Sequence, residues 1–571
     1  MGRLFGGAAR RARREANIGL DPDEVILDAE NLAGYDASRP EGRLERPISR
    51  SALVALGALV VLFVVGFSGR LWYLQVVRGE AFSIRAESNR LREEIAFADR
   101  GAIYDRNGVP LAISEPPTSD RPWPRRSYID APGFGALLGY VSYPKRDAAG
   151  NYTETETRGV AGIERTYDSA LSGENGARLV EVDARGEIVA DGALRPATHG
   201  DSVTLSIDSR LQGTLADALS KIVEERGFVG GAAGVMDLRT GEVLAMASYP
   251  EFDPETMSDG DDDDAIQGWL DNERRPFLNR FSQGVFTPGS IVKPFFALAA
   301  LTEGTVTPGV TVYSDGKMEV PNPYNPDHPS IFTDWKAHGT VDMRQAIAVS
   351  SNIYFYTIGG GNGGQEGLGI ARLEEYARRF GFGEPIQDLA LQGPSGTVPS
   401  PTWKEENFPG DQWRLGDTYF TSIGQYGFQS SPAQALRAVS AIATGGTLVE
   451  PTLALRAEGE VPEFPKVEGV LAESYEVARE GMRRAVTDGT ARALDVFDVE
   501  IAAKTGTAEV GTVKAKVNSW VIGFWPYEEP RYVFVTLLEH GDRTNLFGAS
   551  PGTRVFFEWV AKNAPEYLGD R

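Results

Sequence analysis

Cysteine is absent from the 571 residues, so the chain depends on neither disulfides nor thiolate chemistry, and an oxidising compartment would do it no harm. Positive charge is in short supply: 57 Lys and Arg stand against 80 Asp and Glu, a formal net charge of -23. That balance argues against nucleic acid as a partner, because a phosphate backbone needs a basic face. Long apolar runs are scarce as well, with one exception between Ser51 and Gly69, where no charged residue occurs. Nineteen helical residues span roughly 28 Å at about 1.5 Å each, close to the hydrocarbon thickness of a bilayer. Arg43, Arg46 and Arg50 precede the run, and Arg70, Trp72 and Tyr73 come after it where an interfacial belt belongs. The segment is too long for a signal-peptide core, lies far from the first residue and has no Ala-x-Ala site close behind it. It reads as one uncleaved anchor, with the basic side in the cytoplasm and the rest of the chain outside.

The residues that are present divide around that anchor. Residues 1–50 are first rich in Arg and Gly, then acidic and mixed, without sustained apolar period, which is the composition of a disordered tail. The run Asp261 to Asp264 reads as a solvated loop. The stretch around which the remainder is organised is Pro288-Gly289-Ser290-Ile291-Val292-Lys293-Pro294, followed by an apolar run to Leu301. An all-round apolar run predicts a helix buried inside a domain, opened by Ser290 after the Pro-Gly break. Lys293 then shares a face with Ser290, and Pro294 fits a first helical turn. A serine becomes a nucleophile when a base takes its proton, and a desolvated lysine of depressed pKa can be that base. Alone the motif is weak: Ser142-Tyr143-Pro144-Lys145 has the same spacing and no buried helix after it, and a lone Ser290 reads as an N-cap.

Two further pieces change its weight. The helical stretch Ala346 to Tyr356 contains Ser350-Ser351-Asn352, which offers a hydroxyl to relay a proton and an amide to hold a peptide group. Lys504-Thr505-Gly506-Thr507 comes directly after the strand-like Ile501-Ala502-Ala503. There Gly506 lets another backbone lie alongside, Lys504, Thr505 and Thr507 suit a substrate carboxylate, and the strand edge could take an extended peptide. Between the anchor and these motifs, Asp105-Arg106-Asn107-Gly108 with apolar flanks predicts a hairpin turn. The run Gly234 to Leu238, a turn at Arg239-Thr240-Gly241 and the run Glu242 to Ser248 predict a strand-turn-strand.

These pieces resemble class B penicillin-binding proteins. The membrane-proximal signature is matched by Asn89-Arg90 and by Asp99 to Ala112, and the second stem signature by Arg158 to Asp168 with Leu171-Ser172-Gly173 and Asp183-Ala184-Arg185-Gly186. Ser-x-x-Lys, Ser-x-Asn and Lys-Thr-Gly, in that order and each in its expected local context, complete the set. Asp334-Trp335-Lys336 with His338-Gly339, Glu375 to Gly381, Pro399 to Lys404 and Ser422-Ile423-Gly424-Gln425 are similar to the elongation type, the penicillin-binding protein 2 group. The resemblance runs from about Leu71 to the C-terminus, with one departure: only Ile113 to Leu137 stands where the family has a long insertion, so the head of the stem is reduced.

The resemblance implies an α+β fold: a penicillin-binding, β-lactamase-like transpeptidase domain, with an antiparallel sheet and helices, behind a mostly β stem and one transmembrane helix. The division expected is a cytoplasmic tail at 1–50, an anchor at 51–75, a shortened stem at 76–205 and the transpeptidase domain at 206–571. The implied reaction is peptidoglycan D,D-transpeptidation through a serine acyl-enzyme during wall elongation, with covalent inhibition by β-lactams. Ser290 attacks, Lys293 accepts its proton, and Ser350 with Lys504 passes a proton to the departing D-Ala. The backbone N–H groups of Ser290 and Thr507 form the oxyanion hole, each such donor worth about 3 to 4 kcal/mol, and Asn352, Thr505 and Thr507 hold the donor. No Glu-x-x-Leu-Asn motif of the water-activating kind lies between Ser350 and Lys504, which favours transpeptidation over hydrolysis. A D,D-carboxypeptidase, a β-lactam-binding sensor and a silent scaffold are the alternatives. The implied partners are stem peptides and a separate membrane glycosyltransferase of the SEDS type. No cofactor is expected. Asp327, His328, Asp334 and His338 could supply zinc ligands, but no cysteine is there to complete a set and such clusters on loops are more often solvated, so no metal is expected.

Overall fold

The computed structural model describes residues 49–83, 91–182, 188–322, 325, 327–511, 515–545 and 548–569. Residues 1–48 of the expected tail at 1–50, the Asn89-Arg90 pair and the Asp183 to Gly186 segment lie outside the described residues. Two units separate, Met1–Arg90 and Leu91–Arg571. In the first, helix α1 spans Arg50–Trp72, and the Ser49 hydroxyl caps it by accepting from the Ala52 N–H at 3.2 Å. Its most apolar 18-residue stretch has a mean hydropathy of 2.5, and with the turn that continues it to Val77 it is, among the described residues, the one helix long and apolar enough to cross a membrane.

The second unit begins with small sheets. Strands β1 (Leu91–Ala96), β2 (Ile103–Tyr104), β3 (Pro110–Glu115), β4 (Arg125–Tyr128), β5 (Gly176–Val182), β6 (Ile188–Arg195) and β7 (Val203–Thr204) form two of them, ordered β1-β5-β6 and β7-β2-β3-β4. The turn between β2 and β3 forms as its residues dictate. The Asp105 carboxylate accepts from the N–H groups of Asn107 and Val109, both at 2.8 Å, and Gly108 takes φ +79, a conformation that costs glycine little. The two stem signatures meet in a buried ion cluster: Glu164 accepts from Arg100 at 2.5 Å and from Arg126 at 2.7 Å, all three side chains at most 3% exposed. Removing one partner would leave an uncompensated buried charge. The β2–β3 turn also ties the stem to the catalytic half of the chain, because Asp105 accepts from the Ser209 hydroxyl at 2.7 Å.

Ser209 opens helix α2 (Ser209–Arg226), capped by Asp208. It lies against a five-stranded antiparallel sheet of β8 (Gly230–Asp237), β9 (Val243–Tyr249), β10 (Ala502–Val510), β11 (Lys516–Trp525) and β12 (Tyr532–Asp542), in the order β9-β8-β12-β11-β10. Alternate residues serve different cores. Ala232, Met236, Ile522 and Phe524 join one apolar cluster, while Ala233, Val235, Val521 and Trp525 join the other. The period of two that splits them is the pleat itself, and both faces are covered, which is why these strands read as nearly continuous apolar runs. One face packs on α2 and the C-terminal helix Ala549–Asn563. Over the other lie helix α3 (Lys293–Thr302), α4 (Met343–Val349), α5 (Asn352–Gly360) and Pro432–Thr444. Strand β10 is left at the sheet edge.

Three local expectations are corrected. Asp261 to Asp264 is not all loop: the Asp262 carboxylate accepts from the Ala265 N–H at 2.9 Å and caps a helix, Asp263–Leu270, in whose first turn Asp263 and Asp264 lie. The other two concern the motif helices. The α-helix begins at Lys293, and Ser290 lies in a 3-10 turn, Gly289–Val292, just before it. The tighter turn eclipses positions i and i+3, and Pro294, which has no N–H to give, sits in the first α turn. Every residue from Lys293 to Leu301 is buried. The stretch 346–356 is also not one helix: α4 ends at Ser350 in the left-handed conformation, φ 58 and ψ 41, and Ser351 starts α5 by accepting from the Tyr354 N–H at 3.3 Å.

Candidate active site

The three motifs, dispersed over more than 200 positions, line or back one cleft of about 950 Å³ whose walls include Ser290, Asn352, Thr507, Trp335, Tyr356 and Gln425. Ser290 is half-buried at the cleft surface. Lys293, three positions on and fully buried, donates to the Ser350 C=O at 2.8 Å, to the Ser350 hydroxyl at 3.3 Å and to Asn352 Oδ1 at 2.7 Å. As an ammonium, Lys293 has an acceptor for each of its three N–H groups. Lys504, also fully buried, donates to the same Ser350 hydroxyl at 2.8 Å and to the Thr505 C=O at 2.7 Å. The Ser350 hydroxyl therefore bridges the two amines. Its left-handed backbone, unusual outside glycine, is what turns it there.

Burial removes water from both amines and disfavours their charged forms. The pKa of Lys293 falls to about 7, burial outweighing the opposing charge of Asp334. Lys504 is lowered as well, by burial and by repulsion from Lys293. Two amines on one hydroxyl cannot both stay charged at little cost, so the pair can take up and release a proton near neutrality.

The remaining predicted residues frame this centre. Asn352 has its carboxamide on Lys293 and, at 3.3 Å, on the Thr333 C=O. The Thr505 hydroxyl pairs with that of Thr490 at 2.6 Å, a partner that no motif announced. The backbone lying along Gly506 is that of the nucleophile turn: a Cβ at Gly506 would come 2.8 Å from the Pro288 oxygen and 2.9 Å from the Ile291 side chain. Gly506→Ala should push β10 off that turn and lower acylation by a chromogenic β-lactam on the order of 10- to 100-fold. An unchanged circular dichroism spectrum would place the loss in the site.

Asp334 proves to be a support. Its buried carboxylate accepts from the Ser351 hydroxyl at 2.8 Å and the Ile353 N–H at 3.2 Å, fixing the break between α4 and α5. His338 comes within 3.5 Å of it, and among the described residues no group of three or more His, Asp or Glu is placed to hold a metal. By contrast, Ser142 and Lys145 lie on short two-residue strands, and Lys145 is exposed.

Comparison with known proteins agrees with this arrangement. Residues 231–558 match the penicillin binding protein transpeptidase domain. The chain belongs to that family. Residues 120–205 match the penicillin-binding protein dimerisation domain. Peptidoglycan D,D-transpeptidase MrdA of Haemophilus influenzae is 30% identical over 525 residues, which cover 86% of this chain and 76% of the relative. Among solved structures, a peptidoglycan synthase complex described as coordinating polymerization and crosslinking contains a chain with TM-score 0.68 and 29% identity, covering 91% of this chain and 100% of that one. Penicillin-binding protein PBP2 of Helicobacter pylori, solved in complex with MreC, has TM-score 0.67 and 25% identity, covering 83% of this chain and 99% of its own.

Proposed function

We propose that this penicillin-binding protein is a membrane-anchored, serine-type peptidoglycan D,D-transpeptidase of the elongation type. The observation that carries the reading is the single Ser350 hydroxyl held between the amines of Lys293 and Lys504 behind a cleft lined by Ser290. Ser290 Oγ bonds to the carbonyl carbon between two D-Ala residues while Lys293 takes its proton. The C–N bond to the last D-Ala then breaks, and that amine leaves with a proton delivered through Ser350 from the Lys293–Lys504 pair. Backbone N–H groups of Ser290 and Thr507 hold the oxyanion, and Thr505 and Thr507 hold the donor's terminal carboxylate. An acceptor amine on a second stem peptide attacks the ester, and Ser290 recovers its proton as the new amide forms.

Neither acid lining the cleft is free to activate water. Asp334 is engaged by Ser351 and Ile353, and Glu509 pairs with Arg543 at 2.9 Å. Aminolysis should therefore exceed hydrolysis when purified protein is given a D-Ala-D-Ala donor and an amine acceptor, with products resolved by mass spectrometry. Free D-Ala and hydrolysed donor, without the crosslinked amide, would mark a carboxypeptidase instead.

The arginines before α1 support an N-terminus in the cytoplasm and a catalytic domain outside. The synthase complex and the MreC complex of the relatives support a place in a wall-elongation assembly with a SEDS-type membrane glycosyltransferase.

A further inference from the structure

Ser422-Ile423-Gly424-Gln425 distinguishes the subtype in the sequence, and its last residue reaches the open edge of β10. In the orientation that satisfies both polar atoms, the Gln425 carboxamide accepts from the Glu509 N–H at 3.0 Å and donates to the Glu509 C=O at 3.3 Å. Those are the two bonds that a residue of an added strand would make. Backbone groups alternate sides along a strand, so an outward-facing Glu509 means that Thr505 and Thr507 also face outward, while Lys504, Gly506 and Ala508 face β11. The Thr505 C=O already accepts from Lys504. Thr507, on the cleft wall with Ser290, lies between two occupied positions.

The turn carrying Gln425 is built to hold it there. The Gly424 C=O accepts from the Gly289 N–H at 2.9 Å, and at φ +74 Gly424 lies so near that a Cβ would meet the Gly289 oxygen at 2.2 Å. Tyr426 comes next at φ 58, strained for a residue with a side chain, its ring packed edge-on at 5.5 Å from Trp413 and 6.0 Å from Trp403. Strained turns persist where the surroundings over-determine them, and they gather at functional sites. This one couples the nucleophile turn directly to the edge strand.

We infer that Gln425 is a positioning residue that closes the edge of β10 at Glu509, so that a donor chain pairs with the strand at Thr507 and must then leave the sheet. The inference rests on the transpeptidase reading, which puts the donor's carboxyl end at Thr505 and its amino end towards Glu509. The edge therefore fits a donor whose extended C-terminal segment is short. A longer chain of ordinary peptide bonds would meet Gln425.

The test is an N-methyl scan along an all-α-linked donor ending in D-Ala-D-Ala, with acylation of full-length protein followed by mass spectrometry. In the wild type, methylating the amide opposite Thr507 should slow acylation tenfold or more. Methylating the next amide on the same side, two residues nearer the donor's N-terminus, should change it less than twofold. In Gln425→Leu, with the Glu509 edge opened, that second amide should become sensitive by about fivefold. A second amide already sensitive in the wild type overturns the inference even if the variant does not fold, and so does an active variant in which it stays insensitive. Absence of acylation by both donor and penicillin in the wild type overturns the transpeptidase reading and this inference with it.

Discussion

Ser290→Ala should abolish covalent labelling by a fluorescent penicillin, with acylation reduced by about 10⁴-fold or more. The substitution removes the oxygen that forms the ester, and nothing nearby can replace it. Ser350 is 7% exposed, and its hydroxyl is engaged by two lysine amines, so it faces no substrate carbonyl. Ser142→Ala should leave labelling at the wild-type level, because that serine lies on a short strand and its matching Lys145 amine is solvated. Gel fluorescence of membranes from cells expressing each variant reads both. A wild type that takes no label, or a Ser290→Ala variant that does, would move the protein to the scaffold class.

Lys293→Arg should lower acylation by about 10²- to 10⁴-fold, the range that a positioned general base supplies. Guanidinium keeps its proton throughout the accessible pH range and cannot accept one from Ser290. In the wild type the base is the neutral amine. Because burial draws the Lys293 pKa down to about 7, that form predominates above pH 7 and is lost below it. The second-order rate with a β-lactam should level off above about pH 7 and fall towards tenfold per unit as pH drops further. Lys293→Arg should lose that slope as well as the rate, which separates a missing base from a distorted pocket. Stopped-flow acylation across pH 5 to 9 tests the sign. A wild-type rate that rises on acidification would remove Lys293 from the role of base.

Much of this is legible in the sequence because it is local. An apolar run as long as a bilayer is thick, an Asp-Arg-Asn-Gly turn, and a helix apolar on all sides each announce themselves within a short stretch of chain. So do the chemical types at 290, 293, 350 and 504, and their order along the chain carries the family resemblance. The corrected details at Ser290 and Ser350 have different causes. Helical period does not distinguish a 3-10 turn from an α turn over four residues, so sequence alone puts Ser290 in the α-helix. The break at Ser350 is imposed by Asp334, which holds the Ser351 hydroxyl from 17 positions away and the Ile353 N–H from 19, beyond the reach of propensity.

The part that sequence by itself settled is which groups the protein carries, that one segment suits a membrane, and which family the motifs resemble. Tertiary structure alone decided that Lys293 and Lys504 share one hydroxyl, that Thr490 backs Thr505, and that Gln425 occupies the strand edge beyond Thr507. The reason is that a depressed amine pKa and a closed strand edge arise from desolvation and close approach. Those depend on how a five-stranded sheet and the helices over it pack, and no spacing along the chain encodes them directly.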